Sequence, residues 1–136
     1  MSHYEIFEDL LRRIPADMDA DQTIALRTLD GRTFVMENRY VRDADYSDED
    51  TFLHSIAAQG VTVVTHLVCL WAEGCVDVPS MHFREGLLAL SPENANTLLL
   101  LRDDEHIADW PLRRTMPENL SNRTARCCPH INRKER

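Results

Sequence analysis

The chain has 136 residues, an apolar fraction of 43% and a formal net charge of −8 at pH 7, which are ordinary values for one globular domain. Its longest unbroken apolar run is six residues (67–72), whereas a bilayer-spanning helix needs about 20, so the sequence predicts no membrane helix. The N-terminus lacks the basic start and apolar run of a signal peptide, and we therefore expect a cytoplasmic protein.

Two helices are predicted from apolar residues at helical spacing. The first covers about residues 3–14, where Ser2 and Glu5 have the spacing of a capping box. The second covers about residues 48–59, where acidic residues in the first turn suit the helix dipole and Gly60 suits the C-terminal end.

The remaining apolar segments are interpreted as strands. Gly31 can adopt the positive φ of a tight turn, which predicts a hairpin around it. For the strand at 97–102 a helix over 92–102 is the competing interpretation, because Pro92 suits a first helical position. The predicted strands are 23–29, 33–37, 61–71, 81–90, 97–102 and 106–110.

These elements predict an α+β fold, with two helices packed on a mostly antiparallel sheet of about five strands. We expect residues 1–116 to form this single domain and residues 117–136 to form a mobile, disordered basic tail, because the tail has little to bury. The charged residues are also distributed unevenly, with an acidic N-terminal part and a basic C-terminal part. Residues 1–112 contain 21 acidic residues and eight arginines, whereas residues 113–136 contain seven basic residues and two acidic ones.

Four residues have the side-chain types of a zinc site, namely His66, Cys69, Cys75 and His82. Strand geometry argues against this site, because positions 66 and 69 of one strand project to opposite faces. Neither Cys-x-x-Cys nor His-x-x-x-His spacing is present, and we expect no metal and no cofactor.

The search for enzyme motifs is negative. The chain has no Gly-x-Ser-x-Gly elbow, Gly-x-x-x-x-Gly-Lys loop or Gly-x-Gly-x-x-Gly turn. Two His–acid pairs, His82 with Glu85 and His106 with Asp109, have a spacing that suits either a general base or an ordinary surface contact. We therefore name no catalytic residue.

The acidic field favours a non-enzymatic binding or adaptor domain that engages a basic protein, of a chaperone, immunity or mimic class that the sequence does not separate. The alternative is a small enzyme or zinc-binding protein that uses the His and Cys residues above or an unseen acid–base pair. Nucleic acid is not favoured as a partner because residues 1–112 are strongly acidic. Homo-oligomerisation is a further possibility that the sequence does not decide. The predicted partner-binding residues are Asp43, Asp45, Asp48, Asp50, Trp71 and Trp110.

Overall fold

The computed structural model describes residues 2–16 and 19–117. Within them lie three α-helices, α1 (His3–Arg12), α2 (Ser47–Ala58) and α3 (Met81–Leu90). The strands are β1 (Gln22–Thr28), β2 (Thr33–Asn38), β3 (Val64–Trp71), β4 (Leu98–Asp103) and β5 (His106–Pro111). The predicted α+β class is confirmed. The predicted tail lies, from residue 118 onwards, outside the described residues.

The five strands form one mixed sheet in the order β2-β1-β3-β4-β5. The pairing of β3 with β4 is parallel and the other pairings are antiparallel, so the mostly antiparallel sheet is also confirmed. Alternate residues of each strand face opposite sides. Val68 packs in the core under α1, while Leu67 and Cys69 belong to the larger core on the other side, which includes residues of α2 and α3.

The first helix and the hairpin form where the sequence predicts them. Ser2 and Glu5 make both hydrogen bonds of the capping box, and α1 buries Phe7 and Leu10. In the hairpin Gly31 has a φ of 87°, the left-handed conformation that glycine adopts without steric cost. The predicted strand at 61–71 is confirmed from Val64 onwards.

The prediction of a strand over 81–90 is wrong, because this segment is the helix α3. The side chain of Ser80 accepts a hydrogen bond from the backbone N–H of Phe83 at 3.1 Å and caps the helix. The topology also requires a helix here, since two parallel neighbouring strands need a long crossover connection. A continuous apolar segment does not distinguish a buried strand from a buried helix by its periodicity.

Residues 92–102 contain both a short helix and the start of a strand, so each of the two interpretations is correct for part of the segment. Residues Pro92–Asn96 form a short 3-10 helix, which begins with proline as the helical interpretation expects, and β4 follows it. None of the helices within residues 2–16 and 19–117 has the length and apolar character that a bilayer crossing requires.

Candidate functional site

A buried polar cluster lies at the end of the sheet where β1 begins and β2 ends. Gln22 and Asn38 are directly opposite each other on these antiparallel strands, and both are fully buried. By the alternation of each strand, they share a face with Ile24 and Met36, which belong to the larger core. Two amide side chains are thus held inside the protein on neighbouring strands.

The starts of two helices close over this pair. Glu49 lies in the first turn of α2, and its side chain is fully buried. Ser80 is the N-cap of α3 and is also buried. Helix N-termini carry a partial positive charge, so a carboxylate between two of them is in a favourable field. The sheet end and both helix starts therefore converge on Glu49.

The two carboxyl oxygens of Glu49 have different surroundings. Oε2 accepts hydrogen bonds from Gln22 Nε2, from Asn38 Nδ2 at 3.3 Å and from Ser80 Oγ at 2.7 Å. Oε1 is equally buried, but it has no hydrogen-bond partner among the residues that the structure describes. Buried polar atoms of native proteins are nearly always hydrogen-bonded, so an open position of this kind indicates a place for a further group.

The Glu49 carboxyl group binds its proton more tightly than an exposed glutamate does. Burial raises the pKa of Glu49 above its ordinary 4.5, and this effect outweighs the hydrogen bonds from Ser80, Asn38 and Gln22, which lower it. Because Oε2 already accepts three donors, a proton on this group resides on Oε1. Three donors thus fix one oxygen of Glu49, and the other has no partner among the described residues.

Gln22 connects this carboxyl group to the next layer of the cluster. While its Nε2 donates to Glu49, its Oε1 accepts from the Ser80 backbone N–H at 3.0 Å and from Cys69 Sγ at 3.7 Å. Burial raises the pKa of the Cys69 thiol well above its usual range, and the charges of Asp77 and Glu49 act in the same direction. The thiol therefore stays protonated and acts as a weak hydrogen-bond donor.

A stacked ring pair lies beside Glu49 at the protein surface. Tyr46 and His82 are half-buried, with ring centroids 4.6 Å apart and planes at 10°. His82 Nε2 contacts Asp50 Oδ1 at 2.8 Å, which joins the starts of α2 and α3. Burial raises the pKa of Tyr46, and the charge of Glu49 raises it further, so this ring is within electrostatic reach of the carboxyl group.

The four residues with the side-chain types of a zinc site do not form a cluster. His66 lies near α1, where its ring is 5.6 Å from that of His3, whereas Cys69 faces the opposite core. Cys75 is half-buried and His82 contacts Asp50. No group of three His, Cys, Asp or Glu residues that suits a metal ion is found in the described part of the chain.

The two predicted acid–base pairs have other partners. His82 contacts Asp50 on α2, and Asp109 contacts His3 Nδ1 at 2.8 Å. Both contacts join partly exposed side chains of different elements. The spacing of residues within one segment does not predict such contacts.

The predicted partner-binding residues are divided between surface and core. The four aspartates are exposed at the start of α2 and in the loop before it. Trp71 is buried, with its indole N–H donating to the Val78 carbonyl at 3.0 Å, so it closes the end of the core. Trp110 is half-buried, and the guanidinium of Arg114 lies 4.4 Å from its ring centroid. Binding of a basic protein by these residues stays a prediction.

Among solved structures, the chain is similar to the crystal structure of the cytidine deaminase from Bacillus anthracis. The TM-score is 0.58 at 16% sequence identity, and the likeness covers 97% of this chain and 96% of that chain. No family model matches the sequence, and no curated protein matches it either. At this identity the likeness concerns the fold.

This likeness corrects the expected function. The sequence predicts a non-enzymatic adaptor that engages a basic protein, whereas the similar fold, matched over nearly the whole of both chains, is that of an enzyme. The expectation of an adaptor rests on the absence of familiar motifs and on the acidic charge. Neither feature reports on a buried site. The alternative of a small enzyme with an unseen acid–base group agrees better with the fold.

Proposed function

We propose that this chain is a small enzyme in which Glu49 is the acid–base group, acting on an aminated ring of the nucleobase or nucleoside class. The observation that carries the proposal is the state of the Glu49 carboxyl group. It is fully buried, its pKa is raised, three donors fix Oε2, and Oε1 has no partner within the described residues. The fold shared with a cytidine deaminase supports the substrate class.

The reaction class is hydrolytic release of ammonia, in which water replaces a ring amino group. This chemistry requires a group that gives a proton to the ring and takes one from the attacking water. Oε1 of Glu49 is suited to this role, because it is buried without a partner among the described residues and burial raises the pKa of the carboxyl group. Gln22, Asn38 and Ser80 stabilise the carboxylate that forms when the proton leaves.

In the proposal, the Tyr46–His82 ring pair moves to give a substrate access to Glu49. The carboxyl group is fully buried, so a substrate reaches it only when a covering group moves aside. Both rings are partly exposed and lie within electrostatic reach of Glu49. In the proposal they rotate away on binding and exclude water when they return.

The residues at this site do not fit the zinc ion of the zinc-dependent deaminases. Those enzymes hold the ion with one His or Cys and two further Cys residues, next to a glutamate. In the described part of the chain no group of three His, Cys, Asp or Glu residues suits a metal ion. Of the two ligand types near Glu49, His82 contacts Asp50 and Cys69 is a buried, protonated thiol. The proposed proton transfer therefore uses only the chain's own residues.

The proposal is tested by measuring ammonia release from a panel of aminated rings. The panel contains cytosine, cytidine, deoxycytidine, adenine, adenosine and guanine, each with the purified full chain and with the same chain unfolded in urea. We expect release from one or more members by the folded chain alone. Binding of a panel member, detected as a rise in Tm, without any ammonia release would contradict an enzymatic function.

A further inference from the structure

The starts of α2 and α3 carry the spacing of a zinc-deaminase signature without its metal ligands. In that signature a ligand precedes the glutamate by two residues, and a later Pro-Cys-x-x-Cys segment supplies two thiolates. Here Ser47 precedes Glu49 by two residues, and Pro79, Ser80 and Phe83 occupy the later positions. The contact of 2.7 Å between Ser80 Oγ and Glu49 Oε2 shows that the two segments meet in the folded chain.

Each of the three ligand positions has a different task in this chain. The Ser47 hydroxyl is exposed and donates to Asp45 Oδ1 at 2.8 Å. The Ser80 hydroxyl donates to Glu49 and caps α3. Phe83 is fully buried and stacks on Phe52, with ring centroids 6.3 Å apart. A phenyl ring offers no lone pair, and an alcohol is a far weaker zinc ligand than a thiolate.

We infer that this chain binds no zinc at the junction of α2 and α3, and that hydrogen bonds replace the metal in holding the two helix starts together. Glu49 Oε2 gathers donors from β1, β2 and α3, and Gln22 binds both Glu49 and the Ser80 backbone. Glu49 thus connects four elements, as a structural metal ion does. The inference rests on the fold and on these contacts, and it holds whether or not the chain turns over a substrate.

Zinc content gives the first test. The full chain is purified from zinc-supplemented medium, and its metal is measured by mass spectrometry beside a chain with Cys127→Ser and Cys128→Ser. We expect no stoichiometric zinc, or zinc that disappears from the double variant, because both results leave the helix junction free of metal. One zinc ion per chain that persists in the double variant and is lost on Glu49→Gln or Cys69→Ser would overturn the inference.

Restoring the ligands gives the second test. A chain with Ser47→Cys, Ser80→Cys and Phe83→Cys is compared with one that has alanine at the same three positions, which removes the same groups without adding thiols. We expect the cysteine variant alone to bind one zinc ion per chain and to gain Tm when zinc is added.

A variant with Ser47→Cys and Ser80→Cys keeps the Phe83 ring in the core, so it reports on the site if loss of that ring prevents folding. We expect a zinc-dependent rise in Tm that the wild-type chain lacks. Equal responses of the folded cysteine variants and the wild-type chain to zinc would contradict the assigned positions.

Discussion

The carboxyl group of Glu49 is fully buried, and its two oxygens differ in their hydrogen bonding. Three donors from distant parts of the chain fix Oε2, while Oε1 has no partner in the described residues. A purely structural carboxylate gains most when both of its oxygens are satisfied. This difference between the two oxygens is the residue-scale observation that supports the proposed acid–base role of Glu49.

The raised pKa of Glu49 predicts a pH-dependent stability difference between the wild-type chain and Glu49→Gln. The folded chain binds this proton more tightly than the unfolded chain, whose ordinary pKa is 4.5. As pH rises from there, the wild-type free energy of unfolding therefore falls relative to the variant, and the difference levels off above the folded pKa. Urea unfolding across pH measures it. Glu85→Gln, at an exposed site on α3, is the control, and a parallel pH dependence of all three chains would contradict the account.

Ser80 is expected to contribute more to stability than a capping serine alone does. Ser80→Ala removes both the cap of α3 and a donor to buried Glu49, and we expect a loss of about 1–3 kcal/mol. Ser2→Ala is the matched control, because it removes an exposed capping serine from α1 and costs about 1 kcal/mol. Equal losses in thermal or urea unfolding would show that the bond to Glu49 contributes nothing.

The sequence did not reveal Glu49 as a site residue. Acidic residues in the first turn of α2 have a sufficient local explanation in the helix dipole, and nothing local distinguishes Glu49 from Asp48 and Asp50. Its burial depends on Gln22, Asn38 and Ser80, which lie 27, 11 and 31 residues away. The available signal is the paired spacing at 47–49 and 79–83, which is hard to detect because no Cys stands at those positions.

At the scale of elements, helix α3 positions Ser80 at its N-cap, and it is the element for which the sequence pattern predicts the wrong structure. The hairpin, α1, α2 and β3 follow from caps, turn glycines and periodicity that act within a few residues. The choice between strand and helix at 81–90 depends instead on the parallel pairing of β3 with β4, which requires a crossover. That pairing is a long-range property, so local patterns do not determine it.

The end of α2 offers a test of backbone conformation. Gly60 has a φ of 84°, and a Cβ added there meets nothing within 4 Å, so a substitution reports on the backbone alone. We expect Gly60→Ala to reduce the free energy of unfolding by about 1 kcal/mol. Gly60→Asn is expected to lose less, because asparagine tolerates the left-handed region better. Equal losses for Ala and Asn would mean that backbone strain is not the cause.

At the scale of the whole molecule, the sheet separates two cores, and the site lies on one side only. The core under α1 contains no part of the Glu49 cluster, whereas the core that includes α2 and α3 ends at it. The net charge of the chain does not report on such a site, because the carboxyl group concerned is buried among neutral donors. The order of predicted helices and strands therefore gives the correct α+β class, whereas the net charge leads to the wrong kind of function.

The most direct measurement compares ammonia release by the wild-type chain, Glu49→Gln and Glu85→Gln on the best substrate of the aminated panel. Removal of a general acid–base group typically lowers the rate by about 10²–10⁴-fold, and we expect kcat/KM of Glu49→Gln to fall by that factor. Glu85→Gln, an equal change of charge at an exposed position of α3, is expected to keep the wild-type rate. Release by Glu49→Gln at the wild-type rate, with all three chains folded, would contradict the assignment of Glu49 as the acid–base group.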